Sequence, residues 1–155
     1  MKRMLVCIAG LAILVLSSTL VSAQVVVNGP VVSEITTTFR SLFAALKNGD
    51  VQTIKFYLSD QEYGRNRVLF EQNSEYPAFL RNFYRGATVR VGEIHSVLNA
   101  SDEVVTEFIV EFPGGETINT GTRLTRIGPG RWIIKKYLAG KYDQGESFGK
   151  GRRQP

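Results

Sequence analysis

The chain has 155 residues, 43% of them hydrophobic, and a formal net charge of +5. The first three residues and residues 139–155 each contribute a net two of these charges, so residues 24–138 are close to neutral. A nucleic-acid-binding domain is expected to carry a basic face, and this balance argues against such a partner. A single cysteine, Cys7, and a single histidine, His95, exclude a disulfide framework and give no ligand set for a metal ion.

Residues 1–23 have the pattern of a secretory signal peptide. Lys2 and Arg3 form a positively charged start, an apolar run follows at 4–16, and small residues precede the cleavage site after Ala23. The run is shorter than the roughly 20 residues that a membrane-spanning helix needs, although an uncleaved anchor is the alternative. We therefore expect export to a bacterial periplasm or to the medium, with no stable membrane span after cleavage.

The stretch 33–50 has the spacing of an amphipathic helix. Apolar residues recur at i, i+4, i+7, i+8 and i+11, which places their side chains on one helical face. These residues are Ile35, Phe39, Leu42, Phe43 and Leu46. Ser33 is predicted to cap the start of this helix, and Asn48-Gly49 its end. Asp50 is then predicted to cap a second helix that runs to about 59, so that the two helices form a tight pair.

Residues 60–73 show no clear period, and we interpret them as a loop with one apolar anchor at 68–70. A third, short helix is predicted at about 75–85. Pro77 suits its first turn, where the missing N–H of proline costs no hydrogen bond. Phe79 and Phe83 belong to its apolar face.

From residue 87 onwards the apolar residues alternate with the two-residue period of strands. Four strands are predicted, at about 87–99, 104–112, 116–127 and 131–138. Within the first, the apolar face switches at Gly92-Glu93, which indicates a bulge and a bend. Three helices followed by four antiparallel strands predict an α+β fold with the helices packed on the sheet. Residues 139–155 are rich in glycine and charge, and we predict a disordered basic tail there.

The stretch from Phe43 to Asp50, FAALKNGD, resembles the opening of the nuclear transport factor 2-like superfamily. A second helix beginning at the aspartate, a third short helix and a long bent sheet complete the resemblance, which covers about 31–138. It implies that the sheet curls around the helices into a cone with a pocket at its open end. Members of the superfamily include isomerases, dehydratases, ligand binders and transport adaptors, so the fold does not by itself define an activity.

Six aromatic residues are candidates for lining such a pocket, since small-ligand sites combine apolar walls with a few polar tips. They are Tyr57, Tyr76, Phe79, Phe83, Tyr84 and Trp132. Each of them is equally compatible with a place in the core. Arg81, Arg85 and Arg90 occur in the same region and suit an acidic ligand as well as they suit solvent.

Resemblance to ketosteroid isomerase-like and scytalone dehydratase-like members implies that a catalytic version would use a carboxylate or histidine base together with a tyrosine. The candidates for these roles are His95, Glu93 and Tyr57. His95 has no evident orienting carboxylate, nucleophile motif or metal-ligand set near it in the sequence.

These observations favour a non-enzymatic ligand-binding or protein-interaction module that needs no cofactor and holds a small apolar or acidic ligand in an apolar pocket. A small isomerase or lyase is the alternative. A homodimer through the outer face of the sheet is also expected, because Val105, Ile109 and Ile133 there form an apolar strip rimmed by charged residues.

Overall fold

A computed structural model of the protein describes residues 26–27 and 29–138. The helices are α1 Pro30–Asn48, α2 Val51–Phe56, α3 Asp60–Arg65, α4 Arg67–Glu71 and α5 Tyr76–Phe83. The strands are β1 Thr88–Val91, β2 His95–Val97, β3 Ala100–Glu111, β4 Thr117–Gly128 and β5 Arg131–Leu138. All of these helices precede all of these strands, which confirms the α+β prediction. The predicted signal peptide and the predicted tail lie outside the described residues. Within the described residues, no helix is long and apolar enough to span a membrane.

The first helix begins earlier than predicted and ends as predicted. Its N-cap is Gly29 (φ 79°), with Pro30 in the first helical position, so Ser33 lies inside the helix and does not cap it. Gly49 adopts the left-handed conformation (φ 61°), and its N–H donates to the carbonyl oxygen of Leu46. Asp50 then caps α2 by accepting hydrogen bonds from the backbone N–H and the hydroxyl of Thr53, which hold the pKa of this carboxyl below its ordinary value.

The predicted loop at 60–73 was wrong, because α3 and α4 form there. The Ser59 hydroxyl accepts from the backbone N–H of Glu62 (3.3 Å) and caps α3, and the ring of Tyr63 in α3 stacks on that of Phe70 in α4 (centroids 5.3 Å apart). The second helix ends at Phe56 instead of 59. The residues that follow pair with Ile134 of β5: its N–H donates to the carbonyl oxygen of Tyr57, and its carbonyl oxygen accepts from the N–H of Ser59. These hydrogen bonds replace the ones that a longer helix would make.

The sheet has the order β1-β3-β4-β5, and β2 also pairs with β3. The single long strand predicted at 87–99 is thus two strands, and the interruption at Gly92-Glu93 that the sequence indicated is where they separate. Gly92 donates its N–H to the carbonyl oxygen of Glu107 at 2.9 Å. A Cβ at position 92 would lie 3.2 Å from that of Glu107, so glycine permits the close approach.

The core lies between α1 and the inner face of the sheet. Ile35, Phe39, Leu42 and Phe43 are buried there, as the helical spacing predicted, and Leu46 is partly buried against them. The ring of Phe39 stacks on Phe108 of β3 with centroids 5.0 Å apart. Burial of each such side chain contributes about 1.5–3 kcal/mol. Aromatic rings therefore occupy the space between α1 and β3.

Candidate ligand-binding cleft

A cleft of about 800 Å³ lies between the first half of α1, helix α2 and the turn that joins β4 to β5. Its volume falls within the range of small-molecule sites, about 300–1,000 Å³. The first helix provides a polar wall. Thr53 and Phe56 of α2 and the adjoining Tyr57 contribute a second part of the lining, and Gly130 of the turn with Arg131 and Trp132 at the start of β5 contributes a third. The site thus joins two parts of the sequence that are about 80 residues apart.

The polar wall consists of hydroxyl groups. Ser33, Thr37 and Ser41 recur every four residues, so they form a row on one side of α1 beside its apolar stripe. Thr38 also lines the cleft, but its hydroxyl donates to the carbonyl oxygen of Glu34 at 3.0 Å. Hydroxyls donate and accept, so this row can pair with several kinds of polar ligand atom. The four-residue spacing of these hydroxyl residues is visible in the sequence and could have predicted the polar wall.

A charged cluster that includes two lining residues, Glu34 and Trp132, connects α1 to the β4–β5 hairpin. Glu34 Oε2 accepts hydrogen bonds from the indole Nε1 of Trp132 (2.8 Å) and from Nη2 of Arg126 (3.2 Å). The guanidinium carbon of Arg126 also lies 4.8 Å from the centroid of the Trp132 ring, a cation–π contact. This carboxylate oxygen therefore has two donors already and a structural role.

An exposed aromatic ring and an arginine also line the cleft. Phe56 is 66% exposed, which is unusual for so large an apolar side chain, and the guanidinium carbon of Arg131 lies 6.0 Å from its ring centroid. Gly130 turns the chain just before Arg131 with a φ of 65°, and so sets the direction in which β5 begins. Within the described part of the chain, Arg131 forms no ion pair.

The six predicted pocket residues fall into two groups. Tyr57 and Trp132 line the cleft. Tyr76, Phe79, Phe83 and Tyr84 lie outside its lining and form a row along α5 and the residue that ends it, with successive ring centroids 5.9, 5.6 and 4.9 Å apart. These four contact one another because α5 presents them one helical turn apart or side by side.

The three arginines near that row have partners of their own. Arg81 donates to the carbonyl oxygen of Asn48 (3.4 Å), Arg85 to the side chain of Asn82 (2.6 Å) and Arg90 to the carboxylate of Glu111 (2.6 Å). They therefore brace the protein's own structure, and none of them lines the cleft.

The structure places two of the predicted catalytic residues, His95 and Glu93, side by side and the third, Tyr57, elsewhere. His95 pairs with Val105, which belongs to the face of β3 that does not contribute to the hydrophobic core, whereas Tyr57 lines the cleft on the helical side. His95 Nε2 lies 3.6 Å from Glu93 Oε2, but the Glu93 side chain is 79% exposed. Among the described residues, no group of three potential metal ligands occurs.

The apolar strip on the outer face of the sheet is less exposed than its composition suggested. Val105 and Ile109 are only 8% and 5% exposed within the single chain. Glu103 forms ion pairs on the same face with Arg123 (2.5 Å) and Lys135. Burial raises the pKa of Glu103, but the hydrogen bonds from Lys135 and Arg123 outweigh it, so the pKa stays below its ordinary value. The homodimer remains a prediction.

Sequence reasoning missed a buried acid, Glu62, because it placed this residue in a loop. The carboxylate is almost fully buried and accepts a hydrogen bond from Nη1 of Arg65 at 2.7 Å. Glu62 also affects Tyr137: burial raises the pKa of this tyrosine strongly, and the charges of Tyr84 and Glu62 raise it further. The sequence did hold a signal for this helix, since Ser59 and Glu62 have the spacing of a capping box.

These features define the class of protein: an α+β domain in which the helices pack on a five-stranded antiparallel sheet. A comparison with protein-family models found no match, and a comparison with curated proteins found none either. Among solved structures, a match was found to a crystal structure from Campylobacter jejuni that is described, provisionally, as an NTF2-like transpeptidase.

The two proteins share 12% identity, with a TM-score of 0.43 over 70% of this chain and 99% of that chain.

Proposed function

We propose that this protein is a non-enzymatic binding module whose small-molecule ligand occupies the cleft between α1, α2 and the β4–β5 turn. The observation that supports the proposal is the composition of the cleft, whose lining combines a row of hydroxyls with an exposed ring and a cation. Small-ligand sites have this combination of apolar area and a few polar groups. The cleft is more polar than the apolar pocket that the sequence predicted.

A binding role accounts for the chemistry of the cleft better than catalysis does. A general base must reach the proton that it removes, and the one carboxylate lining the described cleft, Glu34, has an oxygen that already accepts two hydrogen bonds. The geometry of His95, Glu93 and Tyr57 gives no support to an isomerase or lyase. The signal-peptide pattern of residues 1–23 supports a place of action outside the cytoplasm.

The position of Trp132 provides a direct test, because it is the only tryptophan of the chain and lines the cleft. Its indole N–H resonance and its fluorescence report on the site without a label. We expect compounds from a fragment library that bind the purified protein to shift this resonance. Thr37→Phe, which places a ring in the cleft, should weaken their binding at least tenfold.

A matched variant controls for the added ring. Ala44 is an exposed residue of the same helix outside the cleft lining, so Ala44→Phe should leave the binding unchanged. The proposal is wrong if no compound shifts the indole resonance, or if the compounds that do so bind Thr37→Phe as tightly as the original protein.

A further inference from the structure

The charges of the cleft do not cancel. Among the described residues, two charged side chains line it, Glu34 and Arg131. Glu34 is already neutralised by Arg126, whose Nη2 lies 3.2 Å from its carboxylate. Arg131 has no such acid, so one positive charge remains without compensation at the rim. An uncompensated positive charge at a concave site raises the local concentration of anionic ligands.

The surroundings of Arg131 add a second requirement. The ring of Phe56 is two-thirds exposed beside the guanidinium, so an apolar group that covers the ring would remove this area from water. A fully hydrophilic anion would satisfy the cation and leave the ring exposed. The pair therefore fits a ligand that has an apolar body next to its anionic group.

The hydroxyl row of α1 is compatible with the same ligand. Ser33, Thr37 and Ser41 offer hydroxyl donors, which can hydrogen-bond to anionic oxygen atoms without adding charge. A cationic ligand lacks a counterpart, because the carboxylate of Glu34 is shared by Arg126 and Trp132. The guanidinium of an arginine such as Arg131 presents two parallel N–H groups, which can form a bidentate pair of hydrogen bonds with a carboxylate.

We infer that the cleft selects small organic carboxylates, with the carboxylate bound by Arg131 and the apolar body packed on Phe56. This inference rests on the proposed function, since it assigns a ligand class to the same cleft.

The test compares two probes that have the same shape and differ in charge. Phenylacetate and its neutral amide, phenylacetamide, are titrated into the purified protein and followed by the Trp132 indole resonance. We expect phenylacetate to bind at least tenfold more tightly at low salt, and the difference to shrink at 300 mM NaCl because salt screens an exposed charge. Arg131→Gln should remove the preference.

Arg40 supplies the matched control. It is an exposed arginine on α1 that does not line the cleft, so Arg40→Gln removes the same charge from the protein and should keep the preference. Phe56→Ser should weaken the binding of both probes to a similar degree, because the Phe56 side chain contacts the phenyl group that the two probes share.

The outcomes separate the inference from the function on which it rests. If the two probes bind equally and Arg131→Gln changes neither, the cleft is a binding site but the assignment to carboxylates is wrong. If Arg40→Gln also removes the preference for phenylacetate over phenylacetamide, this preference arises from the net charge of the protein, and the role of Arg131 is refuted. If neither probe nor any compound of the fragment library shifts the indole resonance, the proposed function itself fails.

Discussion

The junction between α1 and α2 depends on Gly49, and its replacement by alanine tests how this junction contacts α5. The residue has a φ of 61°, which L-residues with a side chain rarely adopt. A Cβ at this position would lie 2.3 Å from the carbonyl oxygen of Pro77 and 3.0 Å from Nη1 of Arg81. The arginine can move aside, but the carbonyl of Pro77 belongs to the first turn of α5, so the helix itself must shift.

The expected destabilisation has two parts. The left-handed conformation costs a non-glycine residue about 1–2 kcal/mol. Forcing a methyl group into a packed contact costs a further 1–3 kcal/mol or so, because neighbouring backbone has to move. Gly49→Ala should therefore lower the free energy of unfolding by about 2–5 kcal/mol in total. This is a large share of the about 5–15 kcal/mol that usually separates folded and unfolded states.

Urea unfolding followed by circular dichroism measures this effect, and two other glycines separate its parts. Gly115 has a φ of 85° with no atom within 4 Å of a Cβ, so Gly115→Ala should show the conformational cost alone. Gly64 lies in α3 with equally open surroundings, and Gly64→Ala should stabilise the protein by up to about 1 kcal/mol. If Gly49→Ala costs no more than Gly115→Ala, the reasoning about contact with Pro77 is wrong.

Three further substitutions test the core, a buried pair and the outer face. Phe39→Ala removes a fully buried ring stacked on Phe108 and should cost about 3–5 kcal/mol in urea unfolding. Arg65→Met leaves the buried carboxylate of Glu62 without its cation and should cost about 1–3 kcal/mol in the same assay. The pKa of Glu103 is lower in the folded protein than in the unfolded chain, so the ionised carboxylate stabilises the fold. This stabilisation is fully present above the unfolded pKa of about 4.3 and is lost as the pH falls through the folded-state pKa. Glu103→Gln should thus destabilise the protein at pH 6 and much less at pH 3.

Each of these expectations has its own control. Phe56→Ala truncates an exposed ring and should change stability by less than about 0.5 kcal/mol, so an equal loss in both phenylalanine variants would contradict the assigned core. Adding Glu62→Gln to Arg65→Met should restore part of the stability, and no restoration would mean that the carboxylate is not the source of the loss. Glu116→Gln removes an exposed acid, and the Glu103 reasoning fails if both glutamine variants show the same pH dependence.

Local chemistry in the sequence was enough to predict most of the elements. The spacing of Ile35, Phe39, Leu42 and Phe43 identified the buried face of α1, because a helix repeats every 3.6 residues whatever lies opposite. The Asn-Gly-Asp junction was predictable for the same reason, since left-handed and capping geometries depend on adjacent residues. The break at Gly92-Glu93 was visible as a switch of the apolar face, although its division of the strand into β1 and β2 was not.

The candidate site was predicted only in part, because it is assembled from segments far apart in the chain. Tyr57 and Trp132 were identified as aromatic candidates, but nothing local indicated that they share a cleft while Tyr76 and Phe79 do not. Glu34 was not singled out at all. Its role comes from the hydrogen bond with the indole of Trp132, 98 positions further along the chain.

By itself, the sequence determined that the helices precede the strands, and it determined the buried stripe of α1 and the α1–α2 junction, because these follow from the periodicity and backbone preferences of neighbouring residues. Tertiary structure decided where α2 ends, which face of the sheet carries His95, and which side chains border the cleft. These outcomes depend on strand register and on contacts such as that between Tyr57 and Ile134, which join residues about 80 positions apart. A strand that shifts by one residue exchanges its two faces, and no local pattern specifies that choice for a half-buried histidine.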